Sequence, residues 1–245
     1  MNADTQKLAY SGMGYAVTAM ACFAVLDTTN KFLIASVPLL MVLWFRYAFQ
    51  AVATTAVMWP RRGMTMFQTH SFKLQMLRGL LLLICSVLAF ASLRRMPVAE
   101  FSAIAMLTPL AVTILARFVM KEKVSRLRWM FVIGGLLGAL LIVRPGGSLQ
   151  FNVAWLPLVM VFSYAIFQTI TSHMAKTESP VTMHIYTGWV GTTIASVLVL
   201  GHWTTDLTSF QWLLMCVIGF AGTLGHYLLI MAFSKAPEIG RASCR

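Results

Sequence analysis

Charge is scarce in this sequence. Of its 245 residues only 11% are Asp, Glu, Lys or Arg, where soluble domains carry about 25%. So few charges cannot cover a water-facing surface, which makes the lipid bilayer the chain's solvent and first partner. Acidic residues are scarcer still: 7 Asp and Glu against 19 Lys and Arg give a net charge of +12. A basic excess suits nucleic acid when it forms one face. Here the basic residues stand in short clusters between apolar stretches, as topology determinants do, so no nucleic-acid partner is expected. Cysteine is sparse as well. Cys22, Cys85 and Cys216 each sit inside an apolar run and Cys244 near the end. None has CxxC or metal-ligand spacing; they read as small apolar residues, and neither a metal nor another cofactor is expected. HExxH, GxSxG, Walker and Gly-rich dinucleotide motifs are all missing. That argues against an enzyme, and any transport must run on a gradient or on exchange.

What the sequence has is hydrophobic length: 59% of its residues are apolar. Against the roughly 20 residues needed to cross hydrocarbon, apolar runs fall at 11–34, 38–59, 74–93, 98–120, 129–143, 153–174, 181–200 and 210–233. The first is too long for a signal-peptide core and has no clean A-x-A site after it, so it reads as a retained helix. The fifth is short, but Arg128 and Arg144 flank it and can snorkel. Pro145-Gly146-Gly147-Ser148 breaks the chain after it. Trp44, Trp59, Trp129, Trp155, Trp203 and Trp212 stand near run ends, as interfacial anchors do. The expected fold is an all-α polytopic bundle. Lys7, then Arg61, Arg62, Lys73 and Arg78, then Lys121, Lys123, Arg126 and Arg128, then Lys176 and Lys235 mark one side; Arg94, Arg95 and Arg144 mark the other. The excess places the N-terminus in the cytoplasm, for a multi-pass protein of the inner membrane.

The chain also echoes itself. Phe23-Ala24-Val25-Leu26-Asp27-Thr28 resembles Tyr164-Ala165-Ile166-Phe167-Gln168-Thr169. The linker before Pro38 resembles that before Pro180. The stretch 88–97 resembles 228–237, which ends Ala232-Phe233-Ser234-Lys235-Ala236-Pro237. The offset stays near about 140 positions. A five-helix first unit turns the second one over in the membrane, which is the inverted repeat of secondary transporters. The first repeat is expected over 11–147 and the second, with three helices, over 152–237. The analogy calls for two more helices after Pro237, ten in all. Instead the sequence reads Glu238-Ile239-Gly240-Arg241-Ala242-Ser243-Cys244-Arg245. That octapeptide reads as a one-frame translation of a common sequencing adapter. The segment 238–245 is therefore expected to be non-native, and the natural sequence to be truncated at its C-terminal end.

Several stretches together resemble a known family. They are Phe23-Ala24-Val25-Leu26-Asp27 with Lys31, Phe45-Arg46, Arg94-Arg95-Met96-Pro97-Val98-Ala99-Glu100 and Leu107-Thr108-Pro109-Leu110. Lys121-Glu122-Lys123, Gly134-Gly135-Leu136-Leu137-Gly138 and Leu141-Ile142-Val143-Arg144-Pro145-Gly146 complete the set. The sequence resembles the EamA-type branch of the drug/metabolite transporter superfamily, through the whole first repeat and three helices of the second. The resemblance implies ten helices in two inverted five-helix units, with both ends cytoplasmic. Within the branch, Asp27, Lys31 and Arg46 look most like transporters of S-adenosylmethionine and amino-acid metabolites.

Ionisable residues within a span cost about 2.5–3.5 kcal/mol each on insertion scales, so each needs a reason. Asp27 and Lys31 share a face at i and i+4; Arg46 and Glu100 fall at a similar depth. In a water-filled vestibule, Arg46 would grip a carboxylate or phosphate. Asp27 or Glu100 would take an amine or a coupling proton. The competing reading is an ion-pair clasp between helices. The later helices offer neutral polar groups: Tyr164, Gln168, His173, His184, Tyr186 and His226. Gln168 and His226 lie deep enough to touch substrate; hydrogen-bonded packing is the alternative. Substrate-binding candidates are therefore Asp27, Lys31, Arg46, Glu100, Gln168 and His226. Gly134 with Gly138, and Ala221 with Gly225, are small-xxx-small steps suited to helix packing or to a homodimer. Pro109 marks a gating kink in the fourth span, with a tolerated bend as the alternative. The leading function is secondary active transport of a small polar metabolite by alternating access, driven by protons or exchange. An intramembrane enzyme and a non-transporting scaffold are the rivals.

Overall fold

The computed structural model describes residues 3–118, 125–143 and 151–235, and every regular element among them is helical. The helices are α1 (Ala3–Leu33), α2 (Leu39–Arg62), α3 (Phe72–Arg95), α4 (Val98–Ala105), α5 (Thr108–Phe118), α6 (Arg126–Val143), α7 (Phe151–Met174), α8 (Pro180–Leu198) and α9 (Ser209–Lys235). A 3-10 turn, Gly63–Phe67, follows α2. The Lys121-Glu122-Lys123 cluster, the Pro145–Ser148 breaker and the 238–245 tail lie outside the described residues.

The helices follow the apolar runs, with α4 and α5 sharing the fourth. Pro109 lacks an N–H and its ring clashes with a preceding helical turn. The backbone therefore stops at Ala105 and restarts at Thr108, with proline in the first turn of α5 where it is tolerated. Pro60, just past the apolar run at 38–59, does not end α2. The stop comes at Gly63, whose φ of 50° needs a residue without Cβ. Leu39–Phe67, Phe72–Arg95, Val98–Phe118, Val153–Met174 and Ser209–Lys235 are long and apolar enough to cross a bilayer. α8 is more polar, with Thr182, His184, Tyr186, Thr187 and Thr192 along it.

The protein divides into two compact units, Met1–Leu80 with Ile170–Pro237, and Leu81–Thr169. In the first, α1 packs on α9, and α2 packs on α8 and α9. Small residues let these helices approach. Gly225 faces Phe23 and Cys22, so the Ala221–Gly225 step packs α9 on α1. Gly191 of α8 lies so close to the buried Tyr47 ring of α2 that a Cβ there would overlap it. At one end of this unit two connections are clasped. Glu178 Oε1, buried, accepts from Thr69 Oγ1 at 2.8 Å, His70 N at 2.8 Å and Ser71 N at 3.1 Å, just before α3 begins. Arg62 Nη1 donates to Ser179 Oγ at 2.7 Å, and Tyr186 OH to the Phe67 carbonyl at 2.9 Å.

In the second unit α6 packs on α4 and α5. Gly134 and Gly138 meet nothing within 4 Å of an added Cβ, so their GxxxG step does not serve packing among the described residues.

Candidate functional site

The interior of the first unit is polar along one line. Arg46, Gln50 and Thr54 sit at successive turns of α2, all buried. Arg46 is 2% exposed, with its guanidinium carbon 4.2 Å from the centre of the Tyr47 ring. α9 presents Gly222 to it, and a Cβ there would stand 3.4 Å from Arg46 Cδ and Cγ. The absent side chain lets Arg46 lie along the α9 backbone. Asp27, half-buried on α1, is within electrostatic reach of Arg46. So is His226 on α9, buried, with its ring 4.8 Å from that of Phe23. A cation, a carboxylate and an imidazole thus converge from three helices in one unit. Such a set can grip a zwitterion, the cation holding its carboxylate and the carboxylate its amine.

The other candidates are placed differently. Lys31 is half-buried in the last turn of α1, where a cation also suits the helix dipole. Glu100 and Gln168 belong to the second unit. Glu100, half-buried, is in the first turn of α4, where a carboxylate favours the helix start. Gln168 is half-buried on α7.

Several buried polar residues escape sequence reasoning. Arg78, which reads as part of a basic connection, is instead fully buried in α3. Its Nε donates to Thr171 Oγ1 at 2.9 Å, and its Nη1 to Gln75 Oε1 and the Met183 carbonyl, both at 3.1 Å. Lys73 nearby pulls the eye toward a loop, yet Arg78 already stands in the second turn of a strong apolar run. Asn30 and Gln50 are fully buried as well, and so is His184, which the sequence already offers as a neutral polar group. Asn30 is legible in principle: it lies three residues after Asp27, on the same helical face. Gln50 is legible too, one turn from Arg46.

The model of the EamA-like transporter family matches residues 10–144. An S-adenosylmethionine uptake transporter of Rickettsia bellii (strain RML369-C) is 26% identical over 243 residues, covering 99% of this chain and 82% of the relative. A riboflavin transporter of Vibrio cholerae is 28% identical over 141 residues, 57% of this chain and 47% of that one. A pseudopaline exporter of Pseudomonas aeruginosa is 24% identical over 225 residues, 91% and 78% of the two proteins. One solved crystal structure has a TM-score of 0.71 at 13% identity, covering 91% of this chain and 80% of its own; it shares the fold.

Proposed function

Because this chain belongs to the EamA-like transporter family, and so is a multi-pass membrane transporter of small metabolites rather than an enzyme, we propose that it is a secondary active carrier of an amino-acid-like or S-adenosylmethionine-like molecule. The observation that carries the reading is Arg46, fully buried in a membrane-spanning helix with Asp27 in electrostatic reach. A buried guanidinium is costly in a bilayer and marks a substrate path. Arg46 holds the substrate carboxylate through paired N–H bonds, and Asp27 takes its ammonium group or a coupling proton. His226 flanks them from α9. The names of the relatives support a metabolite of this size, and S-adenosylmethionine itself carries an amino-acid end.

Alternating access then works between two inverted repeats, 11–147 and 152–237, with the N-terminus in the cytoplasm and the protein in the inner membrane. Two close approaches support the repeat. Gly79 of α3 faces Val190 of α8, while Gly219 of α9, about 140 positions on, faces Phe49 of α2. Protons or counter-substrate drive the cycle.

Uptake of labelled S-adenosylmethionine into proteoliposomes holding the purified protein tests the reading. Arg46→Ala should abolish uptake and Arg46→Lys should restore little, since a lysine cannot grip bidentately. Asp27→Asn should lower it at least tenfold, on the order of one lost charge-assisted bond. Folded variants that transport as well as the unaltered protein would remove Arg46 and Asp27 from the substrate path.

A further inference from the structure

We propose that Gln50 and His184 form a recognition edge for a neutral, planar part of the transported molecule, one that carries a hydrogen-bond donor beside an acceptor. Amides, lactams and the aminopyrimidine edge of a purine have this chemistry. The inference deepens the transporter reading and rests on it.

Gln50 Nε2 donates to the His184 carbonyl at 3.1 Å and stands 3.4 Å from His184 Nδ1. An amide N–H facing Nδ1 makes that nitrogen the acceptor, so the neutral ring carries its proton on Nε2. Gln50 Oε1 and His184 Nε2 are buried and have no hydrogen-bond partner among the described residues. Holding α2 to α8 explains the Nε2 bond between the two side chains. It does not explain two bare polar atoms in the buried interior of the unit, each of which is costly to leave unsatisfied.

The two atoms have opposite senses. Oε1 accepts and Nε2–H donates. A carboxylate offers acceptors alone: it would satisfy His184 and repel Gln50. An ammonium group offers donors alone and would do the reverse. A neutral donor–acceptor edge satisfies both. Thr54, one turn further along α2, adds a buried hydroxyl that is also unpartnered among the described residues. The Tyr227 ring packs edge-on to His184 at 5.7 Å and 68°, holding the imidazole plane. Arg46 stands one turn from Gln50 on the other side, about 6 Å along the helix axis. The charged end of a two-part substrate therefore sits at Arg46 and Asp27, and its neutral end at Gln50 and His184.

Two probes separate the ends: adenosine, which has the neutral edge and no amino-acid group, and S-methylmethionine, which has the amino-acid group and no base. The readout is the melting midpoint of the purified full-length protein in detergent against probe concentration. Both probes should raise the midpoint of the unaltered protein. Gln50→Leu should weaken the adenosine response about tenfold or more and leave the S-methylmethionine response unchanged. His184→Phe, which keeps a ring against Tyr227, should do the same and serves if Gln50→Leu does not fold. Adenosine that leaves the unaltered protein unmoved overturns the assignment. So does a substitution that weakens both probes equally, which would make the pair a helix clasp. Neither result touches the transport reading, which stands or falls on Arg46 and uptake.

Discussion

Arg46 can lie along α9 because residue 222 brings no side chain. An added Cβ would meet Arg46 Cδ and Cγ at 3.4 Å, an ordinary contact, whereas anything longer must enter the space the guanidinium fills. Gly222→Ala should therefore transport nearly as well as the unaltered protein. Gly222→Leu should displace Arg46 and cut uptake by at least tenfold, the scale of a misplaced positioning group, with the melting midpoint moving less than the uptake does. Uptake and midpoint measured on both variants check this; equal transport by the two would detach Arg46 from α9. Arg78 poses the opposite case. It is buried in a lattice of bonds to Thr171, Gln75 and the Met183 carbonyl, and its role follows from those bonds. Arg78→Leu leaves the Gln75 acceptor bare, at about 1–3 kcal/mol. Its expected signature is a lower melting midpoint, with the apparent affinity for S-methylmethionine unchanged in the protein that remains folded.

Among the elements, the clasp at Glu178 joins the connection before α8 to the start of α3. One carboxylate oxygen accepts from a hydroxyl and two backbone N–H groups that α3 cannot satisfy itself. Glu178→Ala should lower the melting midpoint by the equivalent of about 1–3 kcal/mol. Glu178→Gln, which keeps the oxygen, should lose less. Equal loss in the two would mean that charge rather than hydrogen bonding holds the clasp. How legible these elements are in the sequence depends on what each signal measures. Apolar run length yields the helices well, because a bilayer demands that length of any span. The break at Pro109 is equally plain, since proline's missing N–H acts locally. The apolar run at 38–59 ends before α2 does, because the deciding feature is the positive φ at Gly63. Charge in a span exposes Asp27 and Arg46, but a search for charge passes over Asn30 and Gln50, which are buried as completely as Arg46. Arg78 is misread because Lys73 precedes it closely in sequence, yet Lys73 stands at the start of α3 and Arg78 in its buried second turn. Which polar side chains face one another across α2, α8 and α9 depends on glycine contacts between helices, and no periodicity within one helix reports that.

At the scale of the whole molecule, the inverted repeat and the N-terminal orientation meet in one observable. The start of α3 at Phe72 and the start of α9 at Ser209 are equivalent positions, about 140 apart in the repeat. If the repeat is inverted, the connections leading into them must lie on opposite faces of the membrane. The two connections also differ in charge. Arg61, Arg62 and Lys73 border the one at 63–71, while residues 199–208 hold no Lys or Arg. The positive connection belongs in the cytoplasm. Thr65 and Thr205 are both exposed, one in each connection. In a variant whose native cysteines are replaced by alanine, Thr205→Cys should react with a membrane-impermeant thiol reagent in intact cells. Thr65→Cys should react only after the cells are permeabilised. The reverse pattern would keep the inverted repeat and turn the protein over. Labelling of both from the same side would break the equivalence of α3 and α9, and with it the alternating exchange between two repeats. The buried line from Arg46 to Thr54 would then serve a carrier whose two halves do not mirror one another.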